Sequence, residues 1–182
     1  MKTRNGKELY MNKPVLIAYA SKYGATAEIA GKVGEVLRGE GLQVDVQPVD
    51  QVSDPGTYTA VILGSAIYAG QWRKEAVAFL KTHEQTLTGM PVWFFSSGPT
   101  GERDPVELLK GWRFPEGQQS IADRIQPRDM AVFHGVLDSD KLNFGEKLII
   151  KALKAPFGDF RDWDAITGWA TTVANALPPE GS

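Results

Sequence analysis

The run Ser21-Lys22-Tyr23-Gly24-Ala25-Thr26 sets two hydroxyls around a glycine, directly after the apolar stretch Val15 to Ala20 and directly before a helical pattern. That is the composition of an anion site. The first turn of a helix carries backbone N–H groups without intrahelical acceptors, the helix dipole adds partial positive charge, and glycine lets the backbone come close to a ligand. The ordinary use of Ser21 or Thr26 at such a place is to cap the helix. The run has neither the G-x-G-x-x-G spacing of dinucleotide sites nor the G-K-[ST] ending of triphosphate loops, so a mononucleotide phosphate suits it best. Lys22 has two readings, counter-charge to that phosphate or a solvated loop lysine.

Two further loops follow apolar runs in the same way. Ser65-Ala66-Ile67-Tyr68-Ala69-Gly70 comes after Ala60 to Gly64, and Ser96-Ser97-Gly98-Pro99 after Pro91 to Phe95. Tyr68 and Trp72 offer aromatic faces for stacking on a planar ring, Tyr68 the better placed of the two. Arg73 and Arg103 stand near these loops and suit a carboxylate-bearing substrate. The chain has no cysteine, which removes thiolate nucleophiles, disulfides and iron–sulfur clusters, so redox chemistry here requires a bound organic cofactor. Of the two histidines, His83 reads as solvated on a helix face and His134 as structural within a strand. No catalytic side chain and no metal site is expected.

The elements that position these loops follow from apolar periodicity. Val15 to Ala20, Ala60 to Gly64 and Pro91 to Phe95 are continuous apolar runs, as in strands covered on both faces. Leu42 to Val49 alternates like an edge strand, and Met130 to Leu137 supplies a fifth strand. Helical spacing marks Thr26 to Arg38, Lys74 to His83 and Trp163 to Leu177, with a short capped helix at Asp104-Pro105-Val106-Glu107. Strands alternating with helices predict an α/β, doubly wound parallel sheet, whose ligands sit at the carboxyl ends of the strands. With 182 residues the chain fits one domain, taken as 14–178 after an N-terminal extension 1–13. A net charge of −2 and no basic run give no footprint for nucleic acid. Neither a signal peptide nor a spanning apolar run is present, so a cytoplasmic location is expected.

Over most of Pro14 to Leu177 the chain resembles the flavodoxin family, whose FMN phosphate is held by a hydroxyl-x-hydroxyl-Gly-x-Thr turn. Ser21, Gly24 and Thr26 match that turn, with Tyr23 in place of a smaller hydroxyl residue. The resemblance implies a three-layer flavodoxin-like fold with a five-stranded parallel sheet in the order 2-1-3-4-5. It implies FMN as cofactor, bound by Ser21, Lys22, Tyr23, Gly24, Ala25 and Thr26 at the phosphate. Ser65, Ala66, Ile67, Tyr68 and Ala69, then Ser96, Ser97, Gly98 and Pro99, are the implied contacts to the flavin ring.

Three departures separate the chain from a soluble electron shuttle. It is near neutral where shuttles are acidic, Ala69 stands where shuttles carry glycine, and the second ring loop lacks a covering tyrosine and acidic residues. An open flavin face is therefore expected. The segment 138–162 is an insertion before the last helix, and within it Phe144 to Lys154 reads as amphipathic. Lys147, Lys151 and Lys154 fall on one face, Leu148, Ile149, Ala152 and Leu153 on the other, which suits a lid or an element touching a membrane surface. Ser65 to Trp72, and Val132 to Leu137 followed by Phe144 to Lys151, are similar to the menaquinone-dependent protoporphyrinogen IX dehydrogenases. Thr100 to Arg128 is more acidic than that family's basic loop. This second resemblance implies an enzyme passing electrons from a porphyrinogen through FMN to a quinone-like partner. A carrier docking other redox proteins is the alternative, and a module without flavin a third.

Overall fold

Runs of apolar residues without alternation occupy the centre of the sheet. The computed structural model describes residues 13–177, so the expected extension lies, apart from Lys13, outside the described residues, as does Pro178. In chain order the elements are β1 (Val15–Ala20), α1 (Ala25–Gly39), β2 (Val44–Pro48), β3 (Ala60–Tyr68), β4 (Gln71–Trp72), α2 (Lys74–Thr88) and β5 (Val92–Ser97). They continue with α3 (Pro105–Leu108), α4 (Gln119–Ile125), β6 (Asp129–Phe133), β7 (Val136–Leu137), α5 (Phe144–Leu153), β8 (Gly158–Asp159) and α6 (Trp163–Asn175).

Five parallel strands lie in the order β2-β1-β3-β5-β6, the expected doubly wound arrangement once the two-residue β4 is set aside as a hairpin on β3. The register sets Val15 of β1 beside Val44 of β2 and Ala60 of β3, and Val61 of β3 beside Val92 of β5. Successive residues of β1 point to opposite faces, so Val15 and Ile17 enter one core and Leu16 and Ala18 the other. The first core is closed by Ile29, Val33 and Leu37 of α1 and by Ile166, Ala170 and Val173 of α6. Phe79 and Leu80 of α2, with Ile121 and Ile125 of α4, close the second. Fully burying a valine, leucine or isoleucine side chain, as at Val33, Leu37 and Ile29, contributes ~1.5–3 kcal/mol relative to exposure.

Gly64 explains how the strands leading to the site fit together. A Cβ at this position would lie 2.0 Å from the Phe95 ring, so the ring crosses β3 only because residue 64 has no side chain. Phe95 then meets Phe133 and Trp169 at centroid distances of 6.0 Å.

The fifth strand is shorter than its apolar pattern. Pairing with β5 ends at Ser97 beside Phe133, and His134 lies past the strand end. The cause is Gly135, whose N–H donates to Pro99 O at 3.0 Å and whose Cβ position is 2.9 Å from Gly98 Cα. The chain turns there, and Val136–Leu137 pairs antiparallel with Gly158–Asp159 instead of extending the sheet. The His134 ring is held outside the strand by a 2.8 Å hydrogen bond between Nε2 and Arg103 O. His83 is half-buried, packed on Phe79 at 4.7 Å, and not freely solvated.

Candidate functional site

At the carboxyl ends of β1, β3 and β5 the connecting loops enclose a cleft of about 930 Å³, within the range of small-molecule sites. Its first wall is the turn between β1 and α1. Gly24 is left-handed there (φ 96°), and its N–H donates to Ser21 Oγ at 3.0 Å. No side chain caps α1, so the start of this 15-residue helix keeps amide donors for another acceptor. Thr26 is buried, and its Oγ1 shares a 2.8 Å hydrogen bond with Ser97 Oγ. That bond uses one of the two hydroxyl protons, leaving the other for an acceptor in the cleft, which both residues line.

The second wall is the β3–β4 hairpin. Tyr68 pairs with Gln71 across a two-residue turn in which Ala69 (φ 47°) and Gly70 (φ 72°) are both left-handed. This matches the backbone twist that tight hairpins need, although a non-glycine residue in this region is strained by about 1 kcal/mol or more. Ala66, Ile67, Tyr68 and Ala69 all line the cleft.

Ser65 and Ser96, expected at the ring, do not reach the cleft. Ser65 Oγ accepts from Arg73 N at 3.0 Å and donates to Ala66 O at 2.9 Å, bracing the hairpin from inside. Ser96 Oγ accepts from Trp72 Nε1 at 2.8 Å. Trp72 is only 4% exposed, with edge contacts to Phe94 and Phe114, so its indole is a core side chain and offers no face to a ligand. Ser97, Gly98 and Pro99 do form the third wall. Arg73 is occupied by Glu75 at 2.9 Å, whereas Arg103 lines the cleft.

The fourth wall contains the residue that the loops gave no reason to expect. Glu146 of α5 reaches across to the turn, accepting from Lys22 Nζ, from Tyr23 Oη at 2.6 Å and more weakly from Tyr68 Oη at 3.4 Å. It also accepts from Asn143 N at 3.0 Å, and the Asn143 side chain accepts from Glu146 N, a complete capping box for α5. Lys22, then Tyr23 and the Asn143 amide, hold the Glu146 carboxyl down at about 2. Its carboxylate pushes the Lys22 ammonium up in turn. Burial, with Tyr23 and Glu146 beside it, pushes the Tyr68 phenol well above its ordinary value. Lys22 is thus exposed but already paired with Glu146. Its Nζ sits over the rings of Tyr23 and Tyr68, at 5.0 and 4.9 Å from their centroids.

The pattern Asn143-Phe144-Gly145-Glu146 was a sequence signal for a helix start, which accounts for Glu146 locally and hides its long reach. Lys141 reinforces the link by donating to Tyr23 O at 3.3 Å. Arg161 performs a similar task lower down, pairing at 2.6 Å with both Glu28 of α1 and Asp159.

The donor set fits a flat ring with an anionic tail. Uncapped amides and a free hydroxyl proton lie at one end, and Ile67, Pro99, Leu142 and Ile149 supply apolar surface beyond it. Among the described residues no cluster of side chains could hold a metal ion.

The Flavodoxin domain family matches residues 16–164 of the chain. Among characterised proteins, the protoporphyrinogen IX dehydrogenase [quinone] of Escherichia coli K12 is 25% identical over 175 residues, covering 88% of this chain and 94% of that protein. Among solved structures, oxidised flavodoxin 2 of Bacillus cereus superposes with a TM-score of 0.57 at 19% identity, covering 90% of this chain and 99% of that one. A flavodoxin from the domain Archaea gives 0.57 at 12% identity, with coverages of 90% and 97%. These two likenesses concern the fold.

Proposed function

The chain belongs to the flavodoxin domain family and binds FMN, and from that premise we propose that it is an enzyme passing electrons to a hydrophobic, quinone-like acceptor, with a protoporphyrinogen-type donor as the concrete version. The observation that carries this reading is the unequal lining of the cleft. Beyond the polar turn at α1, Ile67, Pro99, Leu142, Ile149 and Leu153 give the cleft an apolar stretch, with charged side chains such as Arg103, Lys110 and Lys154 beside it. The similarity to a protein named for quinone and protoporphyrinogen supports the same substrate class.

When bound, FMN supplies reversible uptake and release of electrons. The chain's own residues do the rest by position and field. The α1 amides, Ser21, Thr26 and Ser97 would be the donors for the phosphate. Ala66 to Ala69 on one side and Gly98 with Pro99 on the other would border the ring. Ser65 and Ser96 act from behind, bracing the hairpin and Trp72. α5 borders the cleft on one side, held by Glu146 and Lys141. No described helix is long and apolar enough to cross a membrane. A lipid-soluble acceptor would instead be met at a membrane surface.

The test is anaerobic reduction of the FMN-loaded protein followed by mixing with a soluble menaquinone analogue or with candidate protein acceptors, read by flavin absorbance. Rapid reoxidation by the quinone is expected. Reoxidation only by redox proteins would overturn the enzyme reading in favour of a carrier.

A further inference from the structure

Much of the apolar side of α5 is open to solvent. Phe144 is 79% exposed, Leu148 54%, Ile149 57% and Leu153 67%, and none of the ten residues of the helix is buried. At ~100° per residue these four side chains and Ala152 fill about half of the helix circumference, while Glu146 and Ile150 turn inward. Every charge left outward is positive. Lys147, Lys151 and the C-terminal Lys154 are exposed, and the single acidic side chain of the helix is turned in against Lys22. This one-signed rim stands out on a chain whose net charge is −2.

A soluble monomer rarely leaves such a patch without use, and a lysine-rimmed helix with phenylalanine and leucine on its open face has the build of an interfacial helix. The patch also connects inward, because Ile149 and Leu153 line the cleft. We propose that α5 binds an anionic lipid surface, lying along it with Phe144 and Leu148 in the acyl boundary and Lys147, Lys151 and Lys154 against lipid phosphates. The mouth of the cleft then faces the bilayer, and a lipid-dissolved acceptor enters over Ile149 and Leu153. The entry route rests on the FMN enzyme reading. The lipid binding does not.

Charge selects lipid over a second copy of the chain, since two lysine rims brought together would repel. The lipid headgroups, in contrast, supply the opposite sign along the whole helix.

The experiment is co-sedimentation of the FMN-loaded protein with vesicles of phosphatidylcholine alone or mixed with phosphatidylglycerol. Association is expected only with the mixed vesicles, weakening as salt rises. K147Q with K151Q should lower the partition constant about fivefold per lysine, the equivalent of ~1 kcal/mol each. F144D with L148D should abolish association while leaving flavin absorbance and circular dichroism unchanged, because both side chains are exposed and neither lines the cleft. The proposal is overturned if the unmodified protein ignores mixed vesicles, if F144D/L148D still binds them, or if the face instead mediates a dimer that L148D dissolves. Yellow protein that ignores vesicles removes the lipid proposal alone. Colourless protein that binds them removes the cofactor reading alone.

Discussion

The helices α1 and α5 both end at the same cleft and are held there by opposite means. α1 buries Ile29, Ala30, Val33 and Leu37 against the sheet, and its N-terminus has no side-chain cap. α5 buries nothing, and its N-terminus is closed by the Asn143–Glu146 capping box. Packing fixes the first helix, so its amide donors are free to serve a ligand. The second satisfies its own backbone and is tied down by side chains that can let go. One half of the site is therefore scaffold and the other half attachment, and their responses to substitution should differ in kind.

The largest expected difference lies in the core behind the rigid half. Phe95→Ala removes a fully buried ring that fills the space above Gly64, and should lower unfolding free energy by about 3–5 kcal/mol in chemical denaturation. Leu148→Ala on α5 should stay within about 0.5 kcal/mol of the parent. Comparable losses from the two would erase the distinction between scaffold and attachment.

Next comes Thr26→Val, which keeps the shape and deletes the hydroxyl shared with Ser97. FMN affinity should fall by about 1–3 kcal/mol, measured by fluorescence titration, because one charge-assisted hydrogen bond is lost and Ser97 is left short of a partner. Unchanged affinity would show that the phosphate sits elsewhere.

The attachment is probed through Glu146. Glu146→Gln should raise hydrogen exchange across α5 roughly tenfold, with the exchange of α1 unaltered. Its pH dependence has a definite sign. The Glu146 carboxyl lies at about 2 in the folded protein against an ordinary 4.5, so its contribution is complete above about 4.5 and disappears as pH falls toward 2. Exchange measured down that range should show α5 loosening in the parent but not in the glutamine variant.

The smallest effect belongs to the hairpin. Ala69→Gly relieves a left-handed non-glycine residue and should stabilise the fold by about 1 kcal/mol in denaturant titration. A loss of stability there would mean that the alanine methyl packs in a way the turn geometry does not require.

The sheet was legible in the sequence because β1, β3 and β5 are buried on both faces and carry continuous apolar runs. The uncapped helix start at Gly24 was legible because its geometry is local, with the glycine and the hydroxyls within a few residues of one another. What was hidden depended on distant partners. Trp72 reads like a stacking face until Phe94, Phe114 and Ser96 are brought around it. Ser65 and Ser96 have the right type and loop but point to Arg73 N and Trp72. The apolar pattern through Leu137 continues past the true end of β6, because a backbone contact between Gly135 and Gly98 has no signature in hydropathy. Glu146 was explained too well by its own helix, while Tyr23, its partner across the cleft, lies 123 residues away.

The meeting of Gly98 and Gly135 also governs how the pocket can adapt. With two main chains flush against each other there, the border made by Ser97, Gly98 and Pro99 has no slack in which to swing. The opposite border hangs on ion pairs and can give. Such a clamp has one anvil and one jaw, so new cargo sizes would be accommodated by altering residues 141–156 while the β5 exit stays as it is.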